Sequence, residues 1–207
     1  MPAKGSRRSS VAGRRPASRL ERICGREAER GDLRTQLESC FAHSVCLMGI
    51  GNLDYGDDGF GVRLAEELLA QGMRDVVIAN TNPERYLGQV ADRGIDHLLF
   101  LDAVEFGGPP GSVVFMDTEQ IVPRFPQIST HKISLGVLAQ WAEANGRTKA
   151  WLLGVEPGST KPAQSLTPAV RTTLEALTEL LCNIAGGQTR SPAPARTESS
   201  PAEEVQV

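Results

Sequence analysis

Residues 45–69 read VCLMGIGNLDYGDDGFGVRLAEELL, which predicts a strand, a loop and a helix in succession. The apolar run that opens the stretch is typical of a buried strand, and the glycine-rich turn after it carries two adjacent acids, Asp57 and Asp58. From Gly59 to about Gln71, apolar residues recur at steps of three and four, as on one face of a helix. This order places acid where an open α/β sheet usually holds its ligand.

The rest of the chain continues the alternation of strands and helices. Further strands are predicted at residues 76–79, 97–101, 113–116 and 150–155, and further helices at 84–91, 133–145 and from 167 to about 186. The loop at 107–111 is too short for a crossover helix, so strand 113–116 should run antiparallel to the strand before it. Residues 117–132 are interpreted as loop. We predict an α/β fold with a five-stranded, mostly parallel sheet between helices.

Three regions differ in composition. Residues 1–42 are predicted to be a disordered basic extension, residues 43–187 the folded domain, and residues 188–207 a disordered tail rich in Pro, Ser, Ala and Glu. A short helix is a further possibility within residues 28–40. The first thirty residues hold one lysine and eight arginines but only three acids. The alternative to disorder is an arm for RNA, membrane or an acidic partner.

Charge, cysteines and hydropathy exclude several classes of protein. The net charge of −3 does not suggest a nucleic-acid partner. The four cysteines lie far apart without a CxxC pair, which argues against a zinc knuckle or a disulfide framework and for the reducing cytoplasm. No apolar run approaches the roughly 18 to 20 residues of a membrane span. The basic N-terminus is not followed by the apolar region of a signal peptide.

Two familiar chemistries fit poorly. A dinucleotide-binding turn needs G-x-G-x-x-G, whereas four residues separate Gly51 from Gly56 here, and the two acids that follow oppose a pyrophosphate. No P-loop lysine triplet is present, so no nucleotide is expected. The chain has no G-x-S-x-G turn, which argues against hydrolysis by a nucleophilic serine. Cys46 is predicted to be a buried strand residue rather than a nucleophile.

A divalent metal site fits better. Asp58 follows the first strand, Asp102 ends the third, and His131 precedes the third helix, so all three are expected at one rim of the sheet. Two carboxylates and an imidazole suit nickel, zinc, manganese or iron. Each residue also has a structural interpretation: a helix N-terminal acid for Asp58, a strand-end cap for Asp102 and a loop histidine for His131.

Three motifs of the chain, beginning with the opening stretch, resemble those of a known family. The sequence GIGNLDYGDDGFGV at residues 49–62 resembles the N-terminal signature of the [NiFe]-hydrogenase maturation endopeptidases. The LDA of residues 101–103 and the STH of residues 129–131 are similar to the second and third motifs of that family.

Three shorter stretches continue the resemblance. VEP at 155–157 and LTP at 166–168 follow in the family's order. TNPE at 81–84 is similar to the branch that processes the hydrogenase of formate hydrogenlyase. One departure is Ala79-Asn80, where many relatives carry Asp-Gly.

The resemblance implies a fold, an activity and a site. The family has a twisted five-stranded mixed sheet between helices. Its members remove a C-terminal extension from the hydrogenase large-subunit precursor after nickel insertion, and they are often classed as aspartic-type endopeptidases. By motif register, the catalytic and metal-contacting residues are Asp58, Asp102 and His131, and Asp57 is a structural neighbour. Nickel is supplied by the substrate, and the enzyme is expected to be a cytoplasmic monomer.

Two other functions remain open at this point. A non-catalytic nickel chaperone or scaffold would bind the same large subunit without cutting it. A nucleotide-binding module would use the same loop for a different ligand. The attack on the peptide bond also has two routes, through a nickel-bound water or through a site carboxylate acting as base.

Overall fold

The computed structural model describes residues 32–125, 133–144, 146–163 and 165–188. They form five strands, six α-helices and one 3₁₀ turn at Gly56–Gly59. The strands are β1 Val45–Ile50, β2 Val76–Asn80, β3 His97–Ala103, β4 Val113–Asp117 and β5 Lys149–Val155. The helices are α1 Leu33–Phe41, α2 Phe60–Ala70, α3 Glu84–Asp92, α4 Thr118–Arg124, α5 Leu135–Glu143 and α6 Pro168–Gln188.

The strands form one mixed sheet in the order β2-β1-β3-β5-β4. Neighbouring strands are parallel except for β4, which pairs antiparallel with β5. The predicted sheet and its single antiparallel strand are therefore confirmed. Because the chain leaves β1 toward one edge and β3 toward the other, a crevice opens between the carboxyl ends of β1 and β3.

Apolar side chains cover both faces of the sheet. Successive residues of β3 alternate between two core clusters, with Leu99 and Leu101 in one and Leu98 and Phe100 in the other. Helices α1, α2 and α6 complete the first cluster, and α3, α4 and α5 the second. This two-sided burial explains why the central strands read as continuous apolar runs. Among the described residues, no helix combines the length and apolar content that crossing a bilayer requires.

Helix α1 moves the start of the folded unit to an earlier residue than the sequence predicted. The predicted boundary lay at residue 42, but Leu33, Leu37, Cys40 and Phe41 are buried in the first core cluster. Their spacing of four, three and one residues places them on one helix face. The packed unit therefore begins near residue 33. The remainder of the predicted extension, residues 1–31, and nearly all of the predicted C-terminal tail, residues 189–207, lie outside the described residues.

Helix α4 corrects the prediction of a loop over residues 117–132. The Asp117 side chain accepts a hydrogen bond from the Gln120 N–H (3.0 Å), and the Gln120 side chain accepts one from the Asp117 N–H (3.1 Å). This reciprocal capping box stabilises the first turn of the helix. Pro123 removes one backbone donor, which helps to explain why the helix is short. Helix α6 also departs slightly from prediction, because it continues through the expected stop at Gly186 to Gln188.

Candidate active site

Two glycines bring the start of α2 against the sheet. A Cβ built on Gly61 would overlap the carbonyl oxygen of Leu101 in β3 and lie 2.5 Å from that of Ile50 in β1. A Cβ on Gly49 would lie 2.5 Å from the carbonyl oxygen of Gly61. Backbone therefore packs directly on backbone across the β1–β3 crevice. Only hydrogen fits in place of a side chain at these positions.

Asp58 lies in the 3₁₀ turn that precedes α2 and is only 3% exposed. Its Oδ2 accepts a hydrogen bond from the N–H of Asn52 (2.9 Å). Gly51, at φ +138°, allows the chain to pass so close to this turn that a Cβ there would overlap the Asp58 carbonyl oxygen. The glycine-rich signature thus holds the Asp58 carboxylate at the rim of the crevice.

Asp102 is the penultimate residue of β3 and is 1% exposed. Its Oδ1 accepts a hydrogen bond from the N–H of Ala103 (2.8 Å). It directly follows Leu101, whose carbonyl touches Gly61, and Gly61 lies three residues after Asp58. The fold therefore brings these two predicted ligands, Asp58 and Asp102, to the same edge of the sheet, beside the same crevice.

His131, the third predicted ligand, lies outside the described residues. Described residues resume at Ile133, just before α5, whose N-cap Ser134 accepts a hydrogen bond from the Val137 N–H (3.3 Å). Within the ranges that the structure describes, no three His, Cys, Asp or Glu residues form a group that could hold a metal ion. The three-ligand set of Asp58, Asp102 and His131 therefore stays a prediction.

Asp57, the acid next to Asp58, is fully buried, and its carboxylate is held by hydrogen bonds. Its Oδ2 accepts hydrogen bonds from the N–H of Gly158 (2.8 Å), the N–H of Ser159 (3.0 Å) and the hydroxyl of Thr167 (2.8 Å). Its Oδ1 accepts another from the N–H of Thr167 (2.7 Å). These four bonds agree with the interpretation of Asp57 as a structural neighbour.

Glu156 has a role at the site that the sequence analysis did not assign. It follows β5 and is 8% exposed, and its Oε2 accepts hydrogen bonds from the N–H groups of Phe106 (2.8 Å), Gly107 (2.9 Å) and Gly108 (3.1 Å). Those residues lie in the loop after β3. An acid next to a strand end, together with a glycine pair whose amides need acceptors, was the available signal.

Asn80 lies where the resemblance leads us to expect glycine. It adopts φ +50°, a left-handed conformation that favours glycine but that asparagine tolerates better than most residues. Its carbonyl oxygen accepts a hydrogen bond from the Gly51 N–H (3.1 Å). The chain therefore makes a glycine-like turn at the end of β2, with asparagine at this position.

The described cysteines are poor nucleophiles. Burial raises the pKa of the Cys40 thiol to about 12 and that of Cys46 to about 11. Both are therefore almost entirely protonated at neutral pH, and the thiolate is the reactive form. Cys182 is only half-buried, although burial raises its pKa as well.

Thiol labelling of the native protein should follow the same order. We expect N-ethylmaleimide at pH 7.5 to modify Cys182, while Cys40 and Cys46 stay unmodified until the chain is unfolded in guanidinium. Peptide mass mapping before and after unfolding measures this directly. Fast native labelling of Cys46 would contradict its burial in β1 and reopen a thiol mechanism.

Comparison with known proteins identifies the family. The sequence profile of HycI, hydrogenase maturation protease, matches residues 62–184. The Hydrogenase 2 maturation protease of Escherichia coli is 30% identical over 149 residues, which cover 68% of this chain and 90% of that protein.

Solved structures agree. The [NiFe] hydrogenase maturation protease HycI from Thermococcus kodakarensis superposes with a TM-score of 0.64 at 31% identity, covering 73% of this chain and 99% of the other. The hydrogenase maturating endopeptidase HybD from E. coli superposes with a TM-score of 0.56 at 27% identity, covering 70% and 92%. Since HycI and HybD proteins both match, the formate-hydrogenlyase branch stays a prediction. The chain belongs to the hydrogenase maturation proteases, a family of endopeptidases.

Proposed function

We propose that this protein removes the C-terminal extension from the large-subunit precursor of a [NiFe]-hydrogenase once nickel has been inserted. Family membership supports a protease of this kind. The observation that carries the proposal is the pair of buried acids, Asp58 and Asp102, at one edge of the β1–β3 crevice. Parallel sheets of this type bind ligands in that position.

Nickel held by the precursor is proposed to be the feature that the cleft recognises. Asp58 and Asp102 supply carboxylate oxygens, and His131 would supply an imidazole nitrogen, a mixture that suits a borderline divalent ion. Burial of the two carboxylates favours this role, because buried acids need a compensating positive charge or hydrogen bonds. An empty precursor lacks that charge and would dock weakly.

Nickel is substrate-borne in this scheme, and no cofactor or nucleotide of the enzyme's own is invoked. The acids at the start of α2 oppose phosphate, which would otherwise favour a helix N-terminus. Asp58 or Asp102 can serve as the base that takes a proton from the attacking water, while the metal polarises the water or the peptide carbonyl. We also propose that the enzyme acts as a monomer in the cytoplasm. The three described cysteines are free thiols, in keeping with a reducing compartment.

The test is cleavage of a purified precursor in two matched forms. The full chain is incubated with nickel-loaded and with nickel-free large-subunit precursor, and intact mass spectrometry follows the precursor's C-terminus. We expect loss of a C-terminal peptide only from the nickel-loaded form. Nickel-dependent binding without mass loss would replace the protease by a scaffold, and equal cleavage of both forms would overturn nickel recognition.

A further inference from the structure

The loop after β5 contacts the 3₁₀ turn that carries Asp58 and the loop that follows Asp102. We name its described residues, 156–163 and 165–167, the brace loop. At its start, Glu156 accepts hydrogen bonds from three N–H groups of the loop that follows β3, the strand that contains Asp102. Farther along, the Ala163 carbonyl oxygen accepts a hydrogen bond from the Gly56 N–H (2.7 Å), and the Ala163 N–H donates to the Asp54 carbonyl oxygen (2.9 Å). The brace loop thus spans the crevice.

Asp57 is the second anchor of the brace loop. All four of the hydrogen bonds described for its carboxylate come from this loop, and the Asp57 N–H also donates to the Ser159 carbonyl oxygen (3.0 Å). The approach is so close that a Cβ on Gly56 would lie 2.9 Å from that same oxygen. Hydrogen bonds from N–H groups to an ionised carboxylate are charge-assisted and therefore strong.

We propose that Asp57 and Glu156 are positioning residues that fix Asp58 and Asp102 relative to each other through the brace loop. This inference rests on the proposed function. Asp57 lies in the same 3₁₀ turn as Asp58. Glu156 accepts a hydrogen bond from the N–H of Phe106, which lies four residues after Asp102. Neither side chain is one of the predicted ligands. Their effect on a ligand reaches the cleft through the backbone that they hold.

Asp57 and Glu156, the two anchors of the brace loop, lie apart from the apolar clusters that stabilise the fold. Both carboxylates accept hydrogen bonds at the carboxyl edge of the sheet, whereas the two apolar clusters that stabilise the fold lie on its faces. Replacing an anchor carboxylate by its amide removes one acceptor oxygen and the negative charge that strengthens these hydrogen bonds, and it leaves the clusters intact. The affinity of the cleft for metal should therefore fall while most of the protein remains folded.

The experiment compares the full chain with Asp57→Asn, Glu156→Gln and the matched pair Thr167→Val and Thr167→Ser. Valine keeps the shape of threonine but cannot donate to Asp57, whereas serine retains the hydroxyl. Calorimetry with nickel ion alone measures affinity, and native hydrogen exchange follows the amides of Gly158 and Ser159. Outer partners of metal ligands typically change metal affinity by roughly 10–100-fold. We expect a loss in that range for Asp57→Asn and Glu156→Gln, a smaller loss for Thr167→Val, and wild-type affinity for Thr167→Ser.

The outcomes separate this inference from the proposed function. If the wild type binds nickel and the Asp57→Asn, Glu156→Gln and Thr167→Val proteins bind it equally well, the positioning role is overturned. If the wild type binds no free nickel ion, recognition of precursor-held nickel is decided by the cleavage assay, and the exchange data decide the positioning role on their own. In that case, the positioning role is overturned if the Gly158 and Ser159 amides keep their wild-type protection from hydrogen exchange in Thr167→Val and Asp57→Asn. If Asp57→Asn fails to fold, the comparison of Thr167→Val with Thr167→Ser still tests the positioning role.

Discussion

Replacing Asp102 by asparagine should abolish processing of nickel-loaded precursor while leaving the fold intact. Asp102 is 1% exposed and is the penultimate residue of β3, beside the crevice. The substitution keeps the shape of the side chain while removing the negative charge and one acceptor oxygen. A positioned acid or base contributes roughly 10²–10⁴-fold to a rate, and loss of a metal contact adds to this. We therefore expect the rate of cleavage to fall by at least about 100-fold, measured by intact mass over time.

The control is Asp92→Asn, at the exposed end of α3. Both variants lose one negative charge, but only Asp102 is at the cleft. We expect Asp92→Asn to cleave like the wild type, and both variants to give wild-type circular dichroism and cooperative thermal unfolding. Normal processing by a folded Asp102→Asn protein would remove Asp102 from the site.

Replacing Gly61 by alanine should destabilise the protein strongly. The added methyl would overlap the carbonyl oxygen of Leu101 and lie 2.5 Å from that of Ile50, and backbone cannot rotate away as a side chain can. Overpacking typically costs about 1–3 kcal/mol and occasionally more, and contact with backbone places this site at the upper end. A loss of about 3 kcal/mol corresponds to a melting temperature lower by about 6–12 °C for a domain of this size.

Gly88→Ala is the matched control, because it makes the same chemical change within a helix. Gly88 lies on the exposed side of α3, and a Cβ there would meet nothing within 4 Å. Alanine is the better helix former by roughly 0.5–1 kcal/mol, so this variant should melt at or slightly above the wild-type temperature. Equal melting temperatures for Gly61→Ala and the wild type would show that α2 does not pack directly on β3.

Local patterns were sufficient to predict most of the fold. Apolar runs located all five strands, and the short glycine-proline loop before β4 predicted its antiparallel direction, as the sheet confirms. The exceptions were the ends of the chain and α4. The capping residues Asp117 and Gln120 of α4 were readable, yet residues 117–132 were interpreted as loop. For α1, a short helix within residues 28–40 was stated as a possibility, which the structure confirms, but its packing against the core was not predicted.

The sequence by itself determined the family signature, the order of the elements and the candidate acids, because strand and helix periodicity and turn chemistry act between neighbouring residues. The tertiary structure alone showed which residues hold the Asp57 and Glu156 carboxylates. Asp57 accepts hydrogen bonds from residues 101 to 110 positions away, and Glu156 from residues 48 to 50 positions away. Such partners follow from how the loops meet over the sheet. No local pattern contains that information, because it depends on residues that only the folded chain brings together.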